Sequence, residues 1–268
     1  MNKLEDIYEM LSIEVGEQAD RVATITVDRP DARNAMNSQV RNEFKEAIQI
    51  AEEDEQIRVV IITGSEGTST FISGADVTDF KDRGVVEQIE AREWPRIYDI
   101  PEKVSIPVIA RINGHAVGGG CELIQACDIR IAQSGSKIGQ PEINLGLIPG
   151  GGGSQRLPRL VGKGQAMKMI LSGELIDAKE AQEIGLIEEV HSSEKFDEAV
   201  YDLAETIAEK SPLALEYAKK AIKMSSRVDL HNGLQYESDL FVKLFATEDK
   251  DEGIEAFLEG REPDFIGR

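Results

Sequence analysis

The sequence is poor in aromatic residues, cysteine and histidine. Aromatic residues make up 5% of the 268 residues, so the core must be built mainly from aliphatic side chains. The two cysteines, Cys121 and Cys127, lie in an apolar stretch, and we expect buried free thiols in a reducing compartment. The three histidines lack the spacing of a zinc site, so no metal is expected.

Basic residues are also scarce relative to acidic ones, and long apolar runs are missing. The formal net charge of −20 weighs against the basic surface that nucleic acids and anionic membranes require. No segment reaches the roughly 18 to 20 apolar residues that span a bilayer. The first residues show no signal-peptide or transit-peptide pattern. We therefore expect a cytoplasmic protein without nucleic-acid or membrane partners.

Several motifs of glycine-rich enzymes are missing as well. The Walker pattern fails at Gly162, because the earlier position that must be glycine is Leu157. The glycines at 150–153 complete neither the dinucleotide fingerprint nor the nucleophile elbow of serine hydrolases. Kinase, dinucleotide oxidoreductase, serine hydrolase and metallohydrolase functions are therefore disfavoured.

Hydrophobic periodicity predicts a layered α/β core followed by a helical region. The predicted strands are 9–15 and 21–27, paired as a hairpin, together with 57–64, 107–112, 128–132 and 185–190. The predicted helices are 38–53, 84–103, 118–127, 163–172, 177–184, 195–210, 211–226, 229–246 and 248–260. The last helices carry more apolar side chains than a solvated helix tolerates, such as Phe241, Phe245 and Phe257. Packing on the chain's own core and a subunit interface both account for them.

Two glutamates, Glu122 and Glu142, lie twenty residues apart in separate glycine-rich turns. Their neighbours are mostly Gly, Ala, Val, Ile and Leu, and burial among such residues raises the pKa of a carboxyl group. Two such carboxylates can divide acid and base work near neutral pH. Helix capping by Glu122 and a rim position for Glu142 are the structural alternatives. A third glycine-rich turn lies at 71–77, and amides from two turns can form an oxyanion hole.

Four segments in this order resemble one family. They are DRPDARNAM at 28–36, FISGAD at 71–76, NGHAVGGGCEL at 113–123 and GQPE at 139–142. On these segments the chain resembles the crotonase (enoyl-CoA hydratase/isomerase) superfamily over nearly its whole length. The resemblance implies an α/β spiral of repeated ββα units over 1–195. It also implies a C-terminal helical region over 196–268 that builds trimers, which commonly pair as hexamers.

The resemblance also implies a site for an acyl-CoA thioester, with coenzyme A as part of the substrate and no separate cofactor. The amides of Ala75 and Gly119 are expected to bind the thioester oxygen, and Gly118 is expected to shape the turn. Thr78 stands where family members often have lysine. The residues expected to contact coenzyme A or the reacting end of the substrate are Asp31, Ala32, Arg33, Ala35, Ala75, Asp76, Val77, Thr78 and Gly118.

Glutamate at both positions implies a hydratase that adds water in syn geometry to a short-chain trans-2-enoyl-CoA. Glu122 is the expected base toward water, and Glu142 the expected acid toward the α-carbon. Dehydration of 3-hydroxypropionyl- or 3-hydroxybutyryl-CoA, or enoyl-CoA isomerisation, are alternatives. An RNA-binding or scaffold role is disfavoured by the charge and by both glutamates. Trp94 and Tyr98 fit either the border of an acyl pocket or simple core packing.

Overall fold

Two β-sheets form the centre of the molecule in a computed structural model that describes residues 8–91 and 96–268. The larger sheet has the strand order β1-β2-β3-β5-β7-β10, and the smaller has the order β4-β6-β8-β9. The strands are β1 (Leu11–Val15), β2 (Val22–Val27), β3 (Val59–Gly64), β4 (Thr70–Ile72), β5 (Val108–Ile112), β6 (His115–Val117), β7 (Ile129–Gln133), β8 (Lys137–Gly139), β9 (Ile176–Asp177) and β10 (Glu189–His191).

Helices cover the sheets and form most of the C-terminal part. They are α1 (Ser38–Glu53), α2 (Val85–Glu90), α3 (Ile100–Lys103), α4 (Gly119–Ala126), α5 (Gly153–Ser172), α6 (Ala178–Glu183), α7 (Ser193–Ala208), α8 (Pro212–Met224), α9 (Leu230–Leu244) and α10 (Glu248–Glu259). Short 3-10 helices lie at Pro30–Ala32, Val77–Phe80, Ile97–Asp99 and Glu142–Leu145. No helix in the described ranges is long and apolar enough to cross a membrane.

From β3 to β8, successive strands of the chain alternate between the two sheets. Strands β3, β5 and β7 of the larger sheet are each followed, after a short turn, by β4, β6 and β8 of the smaller one. All residues of β3 and β5 are buried, as expected for central parallel strands covered on both faces. This repetition gives the expected α/β spiral of the crotonase fold.

The predicted hairpin is confirmed, because β1 and β2 pair antiparallel with Leu11 opposite Val27. Helix α1 begins at the cap residue Asn37, whose side chain accepts a hydrogen bond from Val40 N at 2.9 Å. Its apolar stripe, which includes Phe44, packs into the main core. The predicted stripe of α1 is therefore the buried one.

Helix α7 covers another part of the larger sheet. Its residues Phe196 and Val200 share a buried cluster with Val59 and Ile61 of β3. The predicted boundary at residue 195 assigns this helix to the C-terminal region, although it packs on the sheet. The division of the chain at that boundary stays a prediction.

Two predicted elements are wrong in their limits, and one helical segment was not predicted. The helix predicted at 84–103 is not continuous, because a 3-10 helix and α3 form separate turns after α2, and Pro101 lies in the first turn of α3. The helix predicted at 163–172 is confirmed as the second part of α5, which is broken at Gly162, whose φ of 77° and ψ of 158° are not helical; the first part, 153–161, was not predicted. The strand predicted at 185–190 begins only at 189, since Gly185 has a φ of 78° and turns the chain.

Candidate active site

The turn after β4 brings the main chain of Ala75 beside the start of α4. Met36 N donates to Gly74 O at 2.8 Å, and Asp76 N donates to Met36 O at 3.4 Å. Gly74 O and the N–H of Ala75 belong to one trans peptide group and point in opposite directions, so the N–H of Ala75 points away from Met36. Gly74 has a φ of 101°, and a Cβ there would lie 2.8 Å from Gly119 N. The two turns are therefore in direct contact.

The turn before α4 supplies the second amide. Gly118 has a φ of 54° and a ψ of −120°, and its N donates to Gly139 O at 2.9 Å. Gly119 opens the helix, so its N–H has no partner within it. Within residues 8–91 and 96–268, no atom accepts a hydrogen bond from the N–H of Ala75 or Gly119. Two such donors at a helix N-terminus suit an anionic oxygen.

Glu122 lies in the first turn of α4 and is only 3% exposed. Its Oε1 accepts hydrogen bonds from Gly151 N at 2.7 Å and Gly153 N at 2.8 Å. Burial raises the pKa of Glu122, while these two hydrogen bonds and the charges of Arg96 and Arg156 oppose that rise. Since both donors use Oε1, Oε2 is the oxygen that can serve a ligand.

Glu142 opens the 3-10 helix after β8 and is half-buried. Burial raises its pKa to about 7, and the charge of Glu122 contributes to the rise. In the amide orientation that satisfies both ends of Gln140, its nitrogen donates to Glu142 Oε1 at 2.9 Å and Oε2 at 3.2 Å, and its oxygen accepts from Gln125 at 3.2 Å. A Cβ at Gly118 would lie 3.4 Å from Glu142 Oε1. Both glutamates therefore flank the same turn.

Strand pairing in the smaller sheet explains why Glu122 and Glu142, twenty residues apart in the chain, lie near the same turn. Strands β6 and β8 pair parallel, with Val117 opposite Gly139. The turn after each strand carries one of the glutamates, and the carboxyl ends of parallel strands lie at the same edge of a sheet. The register thus sets Glu142 beside the turn that leads to Glu122.

The remaining predicted residues lie on two loops that are joined beside Ala75. Arg29 Nη1 donates to Ala35 O at 2.6 Å and to Asp76 Oδ2 at 3.2 Å. Asp76 Oδ1 accepts from Thr78 Oγ1 at 2.6 Å, and this hydrogen bond is the main reason that the pKa of Asp76 is lowered. Ala35 is buried and Ala32 half-buried. The exposed members of the set are Asp31, Arg33, Val77 and Thr78.

Several residues of the site were not predicted. Gly151 and Gly153 hold Glu122, and Gln140 contacts Glu142. The run of four glycines at 150–153 was the available signal, because a chain that must approach a carboxylate with its backbone favours glycine. Tyr98 also borders the site, since a Cβ at Gly119 would lie 2.5 Å from its hydroxyl oxygen.

The cysteines and His115 are not assigned to the candidate site. Both cysteines are buried and free, as predicted, and burial raises the pKa of each thiol to about 12. His115 Nδ1 accepts a hydrogen bond from Lys137 N at 3.0 Å. Trp94 lies outside the described residues.

Comparisons with known proteins agree with this geometry. A family model described as enoyl-CoA hydratase/isomerase matches residues 17–268. The chain is 42% identical to a 2,3-dehydroadipyl-CoA hydratase of Escherichia coli, over 92% of this chain and 96% of that protein. It is 40% identical to a crotonyl-CoA hydratase of Syntrophomonas wolfei, over 94% and 97%.

A solved structure supports the same assignment. The crystal structure of an enoyl-CoA hydratase from Bacillus anthracis superposes with a TM-score of 0.92 at 37% identity. The match covers 97% of this chain and 100% of that one. Sequence motifs, fold and relatives thus agree over nearly the whole length, and the chain belongs to the enoyl-CoA hydratase/isomerase family of the crotonase superfamily.

Proposed function

We propose that this chain catalyses the reversible syn addition of water to a short-chain trans-2-enoyl-CoA, giving the 3-hydroxyacyl-CoA. The activity is that of an enoyl-CoA hydratase, a hydro-lyase, and its substrate is an acyl-CoA thioester. The observation that carries the proposal is the pair of carboxyl groups, Glu122 and Glu142, on either side of a turn whose Gly119 N–H is free to bind an oxygen. The relative named crotonyl-CoA hydratase supports a short acyl chain.

The thioester oxygen binds between the N–H groups of Ala75 and Gly119. As water attacks the β-carbon, negative charge moves through the conjugated system to this oxygen. Donors that are already oriented stabilise such charge by several kcal/mol, because they need no reorganisation during the reaction. Gly118 belongs to this machinery, since its backbone angles turn the chain so that the next N–H faces the ligand.

Two carboxyl groups then handle the protons. Glu122 accepts the proton of the attacking water at Oε2, because the two main-chain donors occupy Oε1. Glu142 donates a proton to the α-carbon, and a pKa of about 7 keeps a large fraction protonated at neutral pH. The reverse reaction uses the same groups in exchanged roles, so the site also dehydrates a 3-hydroxyacyl-CoA. The physiological direction follows from substrate supply.

The two joined loops bind the coenzyme A part of the substrate. Asp31, Ala32, Arg33 and Ala35 lie beside the adenine and pantetheine. Asp76, Val77 and Thr78 border the reacting end together with Ala75. The hydrogen bonds from Arg29 to both loops support this assignment, because they fix the two loops relative to each other.

We also propose a homotrimer, with two trimers pairing as a hexamer in the cytoplasm. The C-terminal helices carry large apolar side chains that are mostly exposed in the single chain, such as Leu230 at 78% and Phe257 at 84%. Exposed groups of this kind mark subunit interfaces. Residues 196–268 then form the oligomerisation region, and light scattering gives the solution mass that tests it.

The decisive experiment replaces each glutamate by glutamine. Glu122→Gln and Glu142→Gln should each lower the hydration rate of crotonyl-CoA by about 10²- to 10⁴-fold, the range for lost acid or base catalysis. Binding of a saturated acyl-CoA should be retained in both. Glu198→Gln, on the exposed surface of α7, is the matched control and should retain full activity. Near wild-type turnover in either site variant contradicts the proposal.

A further inference from the structure

We propose that Arg156, which is anchored together with Arg96 on Asp99, is a positioning residue that aims the amides of the 150–153 turn at Glu122. The inference rests on the proposed role of Glu122 as the base. The residues involved do not touch the reacting atoms. They act through the shape of one turn.

The first peptide of the turn is held from both ends. Gly151 N donates to Glu122 Oε1 at 2.7 Å, and Gly150 O, on the same peptide group, accepts from Arg96 Nη1 at 3.2 Å. The N–H and C=O of a trans peptide lie in one plane and point in opposite directions. A cation on the carbonyl side therefore fixes the direction in which the N–H points.

The side chain of Arg156 contacts the middle peptide of the turn, which lies between the two amides that bind Glu122. Arg156 Nη1 donates to Gly151 O at 3.1 Å, and the backbone N of Arg156 donates to Gly152 O at 2.8 Å. Gly152 O belongs to the peptide whose N–H, that of Gly153, binds Glu122 Oε1 at 2.8 Å. The bond to Gly152 O is a backbone bond at the start of α5 and does not depend on the side chain at 156. The guanidinium itself holds Gly151 O, the carbonyl group between the two amides that bind Glu122.

The arginine is itself fixed by one buried and one half-buried carboxylate. Asp99, only 5% exposed, accepts from Arg156 Nη2 at 2.7 Å and from Arg96 Nη2 at 2.9 Å on the same oxygen. Glu102 Oε2 accepts from Arg156 Nε at 3.1 Å and Nη2 at 2.8 Å. Such two-point contacts use the planar fork of the guanidinium, which lysine cannot reproduce. The network therefore sets an orientation as well as a charge.

The same network acts on Glu122 through its charge. Burial raises the pKa of Glu122, and the charges of Arg96 and Arg156 make that rise smaller than burial alone would give. The titratable and charged groups around Glu122 and its turn are Arg96, Tyr98, Asp99, Glu102, Cys121, Glu142 and Arg156. Among them Arg156 contacts the turn and two carboxylates at once.

The test compares Arg156→Gln with Arg156→Lys in crotonyl-CoA hydration over a range of pH. Arg156→Gln should lower kcat by about 10²-fold, the effect of a displacement near 1 Å, with little change in KM. The acid limb of kcat/KM, which follows ionisation of Glu122, should move to higher pH because a positive charge has been removed. Arg156→Lys should lose kcat while the limb stays near its wild-type position, since the charge is retained.

Arg111→Gln is the matched control. Arg111 is as buried as Arg156, with side chains 10% and 16% exposed, and it pairs with Asp197 on a different part of the sheet. It should lower the melting temperature without changing kcat or the acid limb. If Arg156→Gln does not fold, Asp99→Asn is measured in the same way, because it removes the anchor of both arginines.

Unchanged kcat and an unchanged acid limb in the Arg156 variants overturn the inference. That result is distinguishable from failure of the proposed function. If Glu122→Gln abolishes turnover while the Arg156 variants stay at wild-type values, only the positioning role is wrong. If Glu122→Gln itself retains turnover, the base assignment is wrong and the positioning role falls with it.

Discussion

The turn that carries Glu122 and the turn that carries Glu142 show two ways to hold a carboxyl group beside one ligand. Glu122 is buried and accepts two main-chain hydrogen bonds on one oxygen. Glu142 is half-buried, contacts the side chain of Gln140, and leads into exposed apolar residues such as Leu145. Main-chain donors and nearby arginines thus favour a charged Glu122, whereas burial with few charged partners favours a neutral Glu142.

The difference shows how two identical side chains can serve as base and acid. Hydrogen bonds from N–H groups favour the ionised form of a carboxyl group, so the two main-chain donors reduce the rise that burial gives the pKa of Glu122. Burial and the charge of Glu122 raise the pKa of Glu142 to about 7. In the proposed mechanism, the surroundings of the two side chains therefore assign the roles of base and acid.

The largest expected effect comes from a substitution that displaces the carboxylate of Glu122 and leaves Glu142 in place. A Cβ at Gly151 would lie 2.5 Å from Glu122 Oε2 and would also overlap the ring of Tyr98. Gly151→Ala should therefore displace the carboxylate and lower kcat about 10²-fold or more. Gly150→Ala, next to it in the same turn, meets no atom within 4 Å and should keep its activity. Steady-state kinetics with crotonyl-CoA measures both variants. Equal kcat values for Gly151→Ala and Gly150→Ala would contradict the prediction.

The second prediction concerns pH. In the proposed mechanism the active state has Glu122 ionised and Glu142 protonated, so the pair holds one proton. Above a pH of about 7 that proton is lost, and kcat/KM should fall by about tenfold per pH unit. Because hydration releases no net proton, the profile should be the same when dehydration of 3-hydroxybutyryl-CoA is measured. A kcat/KM that stays constant from about pH 7 to 9 would contradict the assignment of this proton to the pair.

The smallest effect is on stability. The pKa of Glu142 rises from 4.5 in the unfolded chain to about 7 in the fold, so folding binds a proton between these values. Below pH 4.5 the ionisation of Glu142 does not change the free energy of unfolding, because the group is protonated in both states. As the pH rises to about 7, the raised pKa lowers the free energy of unfolding. Glutamine resembles the neutral acid, so Glu142→Gln should add about 1–2 kcal/mol to the free energy of unfolding at pH 8, allowing for partial exposure.

Urea unfolding at pH 8 and near pH 5 measures this effect. The gain should shrink toward the lower pH, where Glu142 in the wild-type fold is already protonated. Glu198→Gln, which is exposed, should change neither value. A gain of equal size at both pH values would show that the pKa of Glu142 is not the cause.

Local patterns were sufficient for much of the fold. The hairpin of β1 and β2, the stripe of α1 and the C-terminal helices follow from apolar residues at periods near 2 and 3.6, which depend only on backbone geometry. The helix predicted at 84–103 was wrong, because its charged residues are compatible both with one solvated helix and with several separate turns. The short strands of the smaller sheet were also not predicted, since three residues carry too little periodicity.

What the sequence by itself determined is the set of chemical groups: two glutamates in glycine-rich turns, a third such turn, and motifs whose order identifies the superfamily. Only the tertiary structure decided which backbone groups serve which carboxylate. The amides of Gly151 and Gly153 reach Glu122 across about thirty residues of chain, and Arg156 reaches the carbonyl side of the same turn. Contacts of this kind leave no periodic trace, because they depend on strand register and on helix packing rather than on neighbours in the chain.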